Sequence, residues 1–166
     1  MYRGDLNNTA LADPAQWTLD TRVDILTANT YTDIEEMNNE LYILYHNDEY
    51  GMDSVYQLTN SGLSLAVDEG GVIVSEIASL NSFDGNLCIN YFGGSKIYDS
   101  NFITQAFLTY YAYGNFPIPK GVASNDGIYW IADANNGSVR YNSDFKTDII
   151  SFSGPPKSFF YGVESR

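Results

Sequence analysis

A chain of 166 residues is long enough for one domain that buries roughly two thirds of its unfolded surface. Twenty-one acidic against eight basic side chains give a net charge of -13, so the field that attracts phosphate backbones is here repulsive, and nucleic acid is excluded as the expected partner. No apolar run approaches the roughly eighteen residues of a membrane helix, and Met1-Tyr2-Arg3-Gly4-Asp5 lacks the basic start and apolar stretch of a signal peptide. Membrane insertion is therefore not expected, and the chain reads either as cytoplasmic or as a mature or excised piece of something longer. Fourteen tyrosines with little lysine lean toward an extracellular, periplasmic or cell-surface β protein over a cytoplasmic one.

In chain order, Tyr2 to Leu6 and Gln16 to Asp20 read as two strands. Arg3-Gly4-Asp5 spells the integrin tripeptide, but it falls in a strand and not at a loop tip. Asn7-Asn8-Thr9 and, further on, Asn136-Gly137-Ser138 are glycosylation sequons that double as turn residues. From Asp33 to His46 the spacing of Ile34, Met37, Leu41 and Leu44 admits an amphipathic helix. Asn38-Asn39 interrupts it, and the preferred reading is strand, turn, strand.

Three units follow one another. Asp33-Ile34-Glu35, a turn at Asn38-Asn39-Glu40, Leu41 to Tyr45, Ser54 to Leu58 and Leu63 to Val67 make the first. Ser75 to Ala78, a turn at Asp84-Gly85-Asn86, Leu87 to Tyr91, Ser95 to Tyr98 and Gln105 to Tyr110 make the second. Gly121-Val122-Ala123, a turn at Asn125-Asp126-Gly127, Ile128 to Ala132, Ser138 to Tyr141 and Asp148 to Phe152 make the third. Leu41, Leu87 and Ile128 align as the starts of equivalent strands, and four short strands in about 40 to 45 residues is the size of one propeller blade. The expectation is an all-β, propeller-like chain forming a single domain or a fragment of a larger propeller. Its blades lie at approximately 31–68, 72–110 and 119–153, with partial blades at 1–22 and 157–166, where Ser158 to Val163 supplies a strand. Unpaired strands at both ends predict self-association or the remainder of a longer propeller as a partner.

Pro119, Gly121-Val122-Ala123, Gly127, Ile128-Tyr129, Ala132-Asp133, Asn135-Asn136 and Val139 carry a resemblance over about one blade. They resemble the NHL and YncE-like repeats of β-propeller proteins, whose pattern runs Pro-x-Gly-Ile-Ala, a polar Gly turn, Ile-Tyr-Val-Ala-Asp, then Asn and Val. The other two units keep the strand spacing without the Ala-Asp pair, and Ser138 stands where many NHL repeats carry arginine. The resemblance implies a fold and no single activity, since such propellers serve as binding platforms, lyases, lactonases and scaffolds.

Candidate chemistry is sparse. His46, followed by Asn47, Asp48 and Glu49, is the one histidine, and no nucleophile-elbow pattern accompanies it. Cys88 lies between Leu87 and Ile89 and reads as a buried thiol. Glu35, Glu76 and Glu164 stand on or beside the three expected first strands, from which carboxylates converge on the central channel of a ring; calcium is the one cofactor such a set would suit. Asp133-x-Asn135-x-Gly137 has a trace of calcium-loop spacing, better explained by turn formation. Tyr91-Phe92, Phe107 to Tyr113 and Phe159-Phe160-Tyr161 are aromatic clusters, read chiefly as packing between blades. Tyr110, Tyr111 and Tyr113, in the linker before Pro117, are the residues from which a ligand-binding surface would be built. The functional expectation is a non-enzymatic binding or scaffold module for a protein or glycan; the alternative is a metal-dependent lyase or lactonase using the three glutamates.

Overall fold

The computed structural model describes residues 2–4, 10, 12–22, 29–47, 52–68, 77–109, 116–142 and 147–150. Tyr2–Arg3 (β1) pairs antiparallel with Thr18–Leu19 (β2) after a single 3-10 turn at Pro14–Gln16. Three four-stranded antiparallel sheets follow. The first holds Asn29–Met37 (β3), Glu40–Asn47 (β4), Met52–Thr59 (β5) and Gly62–Asp68 (β6); the second, Ile77–Phe83 (β7), Asn86–Tyr91 (β8), Gly94–Tyr98 (β9) and Thr104–Leu108 (β10). The third holds Pro119–Asn125 (β11), Ile128–Asp133 (β12), Gly137–Asn142 (β13) and Thr147–Ile150 (β14). Each strand pairs with the next in sequence, so every sheet is a meander of the kind expected of a blade.

The same turn opens each blade. Asn38-Asn39, Asp84-Gly85 and Asp126-Gly127 all have positive φ at both positions, from 50° to 74°, which is the requirement of the two-residue type I′ hairpin. Asparagine, aspartate and glycine occupy all six sites because other side chains tolerate the left-handed region poorly. This turn, not a helix, resolves the ambiguous stretch from Asp33 to His46. It also corrects the alignment by one residue: Met37 pairs Glu40, Phe83 pairs Asn86 and Asn125 pairs Ile128. Ile128 is thus equivalent to Glu40 and Asn86, not to Leu41 and Leu87. The true equivalents of those leucines include Tyr129, and the blades begin 46 and 42 residues apart.

Each first strand also carries an irregularity at the same distance from its turn. The register shifts between Tyr31 and Asp33, between Ile77 and Ser79, and between Pro119 and Gly121, one extra residue on the first strand each time. Such bulges sharpen local twist. Ser75 to Ala78, expected as the second blade's first strand, is displaced: β7 runs from Ile77 to Phe83, and Asn81 occupies the place aligned with Glu35.

The apolar cores lie between blades. Met37, Tyr42, Leu44, Val55 and Val67 of the first blade pack against Leu80, Leu87, Ile89, Tyr91 and Tyr98 of the second. Phe83, Cys88, Ile97 and Leu108, from the opposite face of the second, pack against Val122, Ile131, Val139 and Tyr141 of the third. Alternation along a strand accounts for this: in β8, Leu87, Ile89 and Tyr91 face one way and Cys88 and Asn90 the other. A strand covered on both faces reads as a continuous apolar run, as Leu-Cys-Ile does here. β7 lies between β3 and β11, and among the described residues no comparable contact joins the first blade to the third, so these three do not close a ring by themselves.

Candidate functional site

The first strands are joined by side chains instead of a shared ladder. Asp33 Oδ2 accepts from Leu80 N at 2.7 Å, and Glu35 Oε1 accepts from Ser82 N at 3.1 Å and Ser82 Oγ at 2.7 Å. One blade along, Ser79 Oγ donates to Lys120 O at 3.0 Å, while Asn81 Oδ1 accepts from Val122 N at 3.1 Å and its Nδ2 donates to Val122 O. Asp33 and Ser79 occupy one equivalent position and Glu35 and Asn81 the other. These residues satisfy backbone groups that no neighbouring strand reaches.

Glu35 is therefore a bridge between blades. The register gives its place to Asn81 and Ala123 in the next two blades, so Glu76, which precedes β7, is not its counterpart. Glu76 and Glu164 themselves lie outside the described residues, and among those described no group of three histidine, cysteine, aspartate or glutamate side chains is arranged to hold a metal. The Asp133 loop forms an Asx turn: Oδ1 accepts from Asn135 N at 2.8 Å and Asn136 N at 2.6 Å, and Oδ2 from Ile118 N at 2.7 Å. His46 lies on β4, in register with Thr30 and Asp53. The Cys88 thiol is fully buried, and burial pushes its pKa up, which keeps it in the unreactive protonated form.

A different feature stands out at the end of the second blade where β8 turns into β9. Gly93 N donates to Pro117 O at 2.9 Å, and Thr109 Oγ donates to Gly93 O at 3.1 Å. A Cβ on Gly94 would come within 2.4 Å of Leu108 O, so the chain can pass there only as glycine. The turn is thereby fixed between the end of β10 and the segment entering β11. That segment is fixed in turn by Asn135 Nδ2, which donates to Phe116 O at 3.0 Å. Phe92 and Phe116 pack together with ring centroids 5.4 Å apart, and Phe107 stacks on Tyr91 at 5.8 Å with the planes 8° from parallel. Phe92, Phe107 and Phe116 are all exposed.

Sequence reasoning assigned Phe92 and Phe107 chiefly to packing between blades, and the structure places both rings at the surface. Phe92 occupies a turn tip directly before Gly93-Gly94, the signal that marks it as outside the sheet. Phe107 faces the first blade but sits on the outermost strand, beyond that blade's cover. Tyr110, Tyr111 and Tyr113 lie outside the described residues; the segment holding them leaves the fold at Thr109 and rejoins it at Phe116, both at this surface. No protein-family model matches the chain, and no curated protein matches it.

Proposed function

We propose that the chain is a non-enzymatic binding or scaffold module that recognises its partner through the aromatic surface around Phe92, Phe107 and Phe116, with Tyr110, Tyr111 and Tyr113 contributed by the adjoining linker. The observation that carries this reading is the exposure of three phenylalanines on a backbone fixed from both sides. Phenylalanine has no polar tip that needs water, so grouped exposed rings are unfavourable in isolation and characteristic of contact surfaces. A fixed backbone lowers the entropy lost on binding. Rings without flanking hydrogen-bonding carboxylates or amides suit a protein partner better than a glycan. Kinship with the NHL and YncE-like propellers fits this reading, because blades of that kind commonly act as platforms, and the tyrosine-rich, lysine-poor composition fits a secreted or cell-surface setting.

Peptide and glycan arrays probed with the full chain test this directly. Binding to a discrete set of peptides, reduced at least tenfold in Phe92→Ala/Phe116→Ala with unchanged circular dichroism, is the expected result. Equal binding by the double variant, or selective capture on glycans alone, overturns the protein-partner reading.

A further inference from the structure

We infer that the outward face of the first blade is a docking surface for a second copy of this chain, engaged by the open side of that copy's third blade. The argument comes from the two interfaces inside the chain, which are built alike. In each, one face of a blade receives the blade before it, through the equivalent positions Leu80 and Val122 on the first strand, Leu87 and Tyr129, Ile89 and Ile131 on the second, and Tyr98 and Tyr141 on the third. On the first blade those positions are Ile34, Leu41, Ile43 and Leu58, equally apolar. Yet Ile34 is 45% exposed, Leu41 38% and, beside them on β6, Leu65 52%. The first blade carries the receiving face in full.

The third blade carries the complementary one. Its free side presents Gly121, Ala123 and Ala132, small residues against the large ones of the first blade, at positions held inside the chain by Asp33, Glu35 and Leu44 or Ser79, Asn81 and Asn90. Gly121 and Ala123 supply no hydrogen bonds across the gap, and the receiving edge does not need one at Ile34, whose N–H donates to Asp33 Oδ1 at 2.9 Å. The resulting contact is head-to-tail and apolar, so the same two faces meet in every pair.

One position in this interface is opposed. Within the chain Ser124 Oγ donates to Asp84 Oδ2 of the preceding blade's turn, and Ser82 holds the same place as Ser124. On the first blade that place is Glu36, and the turn residue it would meet on the second copy, equivalent to Asp84, is Asp126. Two carboxylates meet where the internal joints have a hydroxyl and a carboxylate, which weakens association and also identifies the pairing. Replacing Glu36 by the serine of the other blades should therefore strengthen it.

Sedimentation equilibrium on the purified full chain over a wide concentration range provides the test. Concentration-dependent self-association is expected, abolished by Ile34→Lys, with circular dichroism reporting that the exposed substitution leaves the fold intact. Glu36→Ser and, separately, Asp126→Asn should each tighten association about two- to fivefold, the range of one exposed charge contact. A chain that stays monomeric at the highest concentrations overturns the inference. So does association that responds to Glu36→Ser but not to Asp126→Asn, because that pattern belongs to a face meeting its own copy.

Discussion

Asn90 is the residue on which the second blade's polar interior depends. Fully buried, it accepts from Ser95 Oγ at 2.7 Å and donates to Ser79 Oγ at 3.1 Å and Asn81 Oδ1 at 2.9 Å, so every partner it has is also held in place by it. Ser79 and Asn81 then reach the third blade. Asn90→Ala leaves three buried groups without a partner and should lower unfolding stability by about 2–4 kcal/mol in urea titrations. Asn90→Leu, which installs the apolar residue found at the equivalent Leu44, should cost about as much, because the loss lies in the unpaired neighbours. A second residue-scale expectation concerns acid. The Arg22 guanidinium hydrogen-bonds Asp20 at 2.6 Å and holds its carboxyl well below the usual carboxylate range, while the same arginine reaches Thr59 O. A depressed carboxylate stabilises the fold above its unfolded value of 3.8 and loses that contribution as pH falls through its folded value. Wild type should therefore lose stability below about pH 4 more steeply than Asp20→Asn in pH-resolved thermal melts; parallel acid limbs would contradict this.

Between elements, the joints are short side chains reaching backbone groups. Glu35→Gln keeps an acceptor oxygen for Ser82 and should change stability by less than about 0.5 kcal/mol, whereas Glu35→Ala should cost about 1–2 kcal/mol. Urea midpoints measure both, and a large loss in the glutamine variant would show that the charge itself matters. Much of this architecture was legible in the chain. Asp84-Gly85 and Asp126-Gly127 announced their hairpins, and the β-branched and aromatic runs around Ile43, Ile89 and Ile131 announced the strands between them. The bulges were not legible, because an extra residue changes spacing without changing composition, and this displaced the second blade's first strand toward Ser75 and Glu76. The supposed carboxylate set rested on that misplacement: with Asn81 and Ala123 in Glu35's row, the row is a series of joints. The aromatic surface was half legible, since Phe92 and Phe107 have the composition of a core and only their positions, at a turn tip and on an outer strand, put them outside it.

At the scale of the whole molecule, the account makes stability pass from blade to blade through two apolar layers and one row of polar bridges. Its central claim is that the first strand of each blade is satisfied by the blade before it. Residue-resolved amide hydrogen exchange tests this most directly at Leu80, Ser82 and Val122, whose N–H groups donate to Asp33, Glu35 and Asn81. These amides should exchange about as slowly as those of the central strands β8 and β12, and Asn81→Ala should selectively accelerate Val122 while leaving Leu80 and Ser82 protected. Fast exchange at all three in the wild-type chain, with β8 and β12 protected, would contradict the account by showing blades that fold separately and do not support one another.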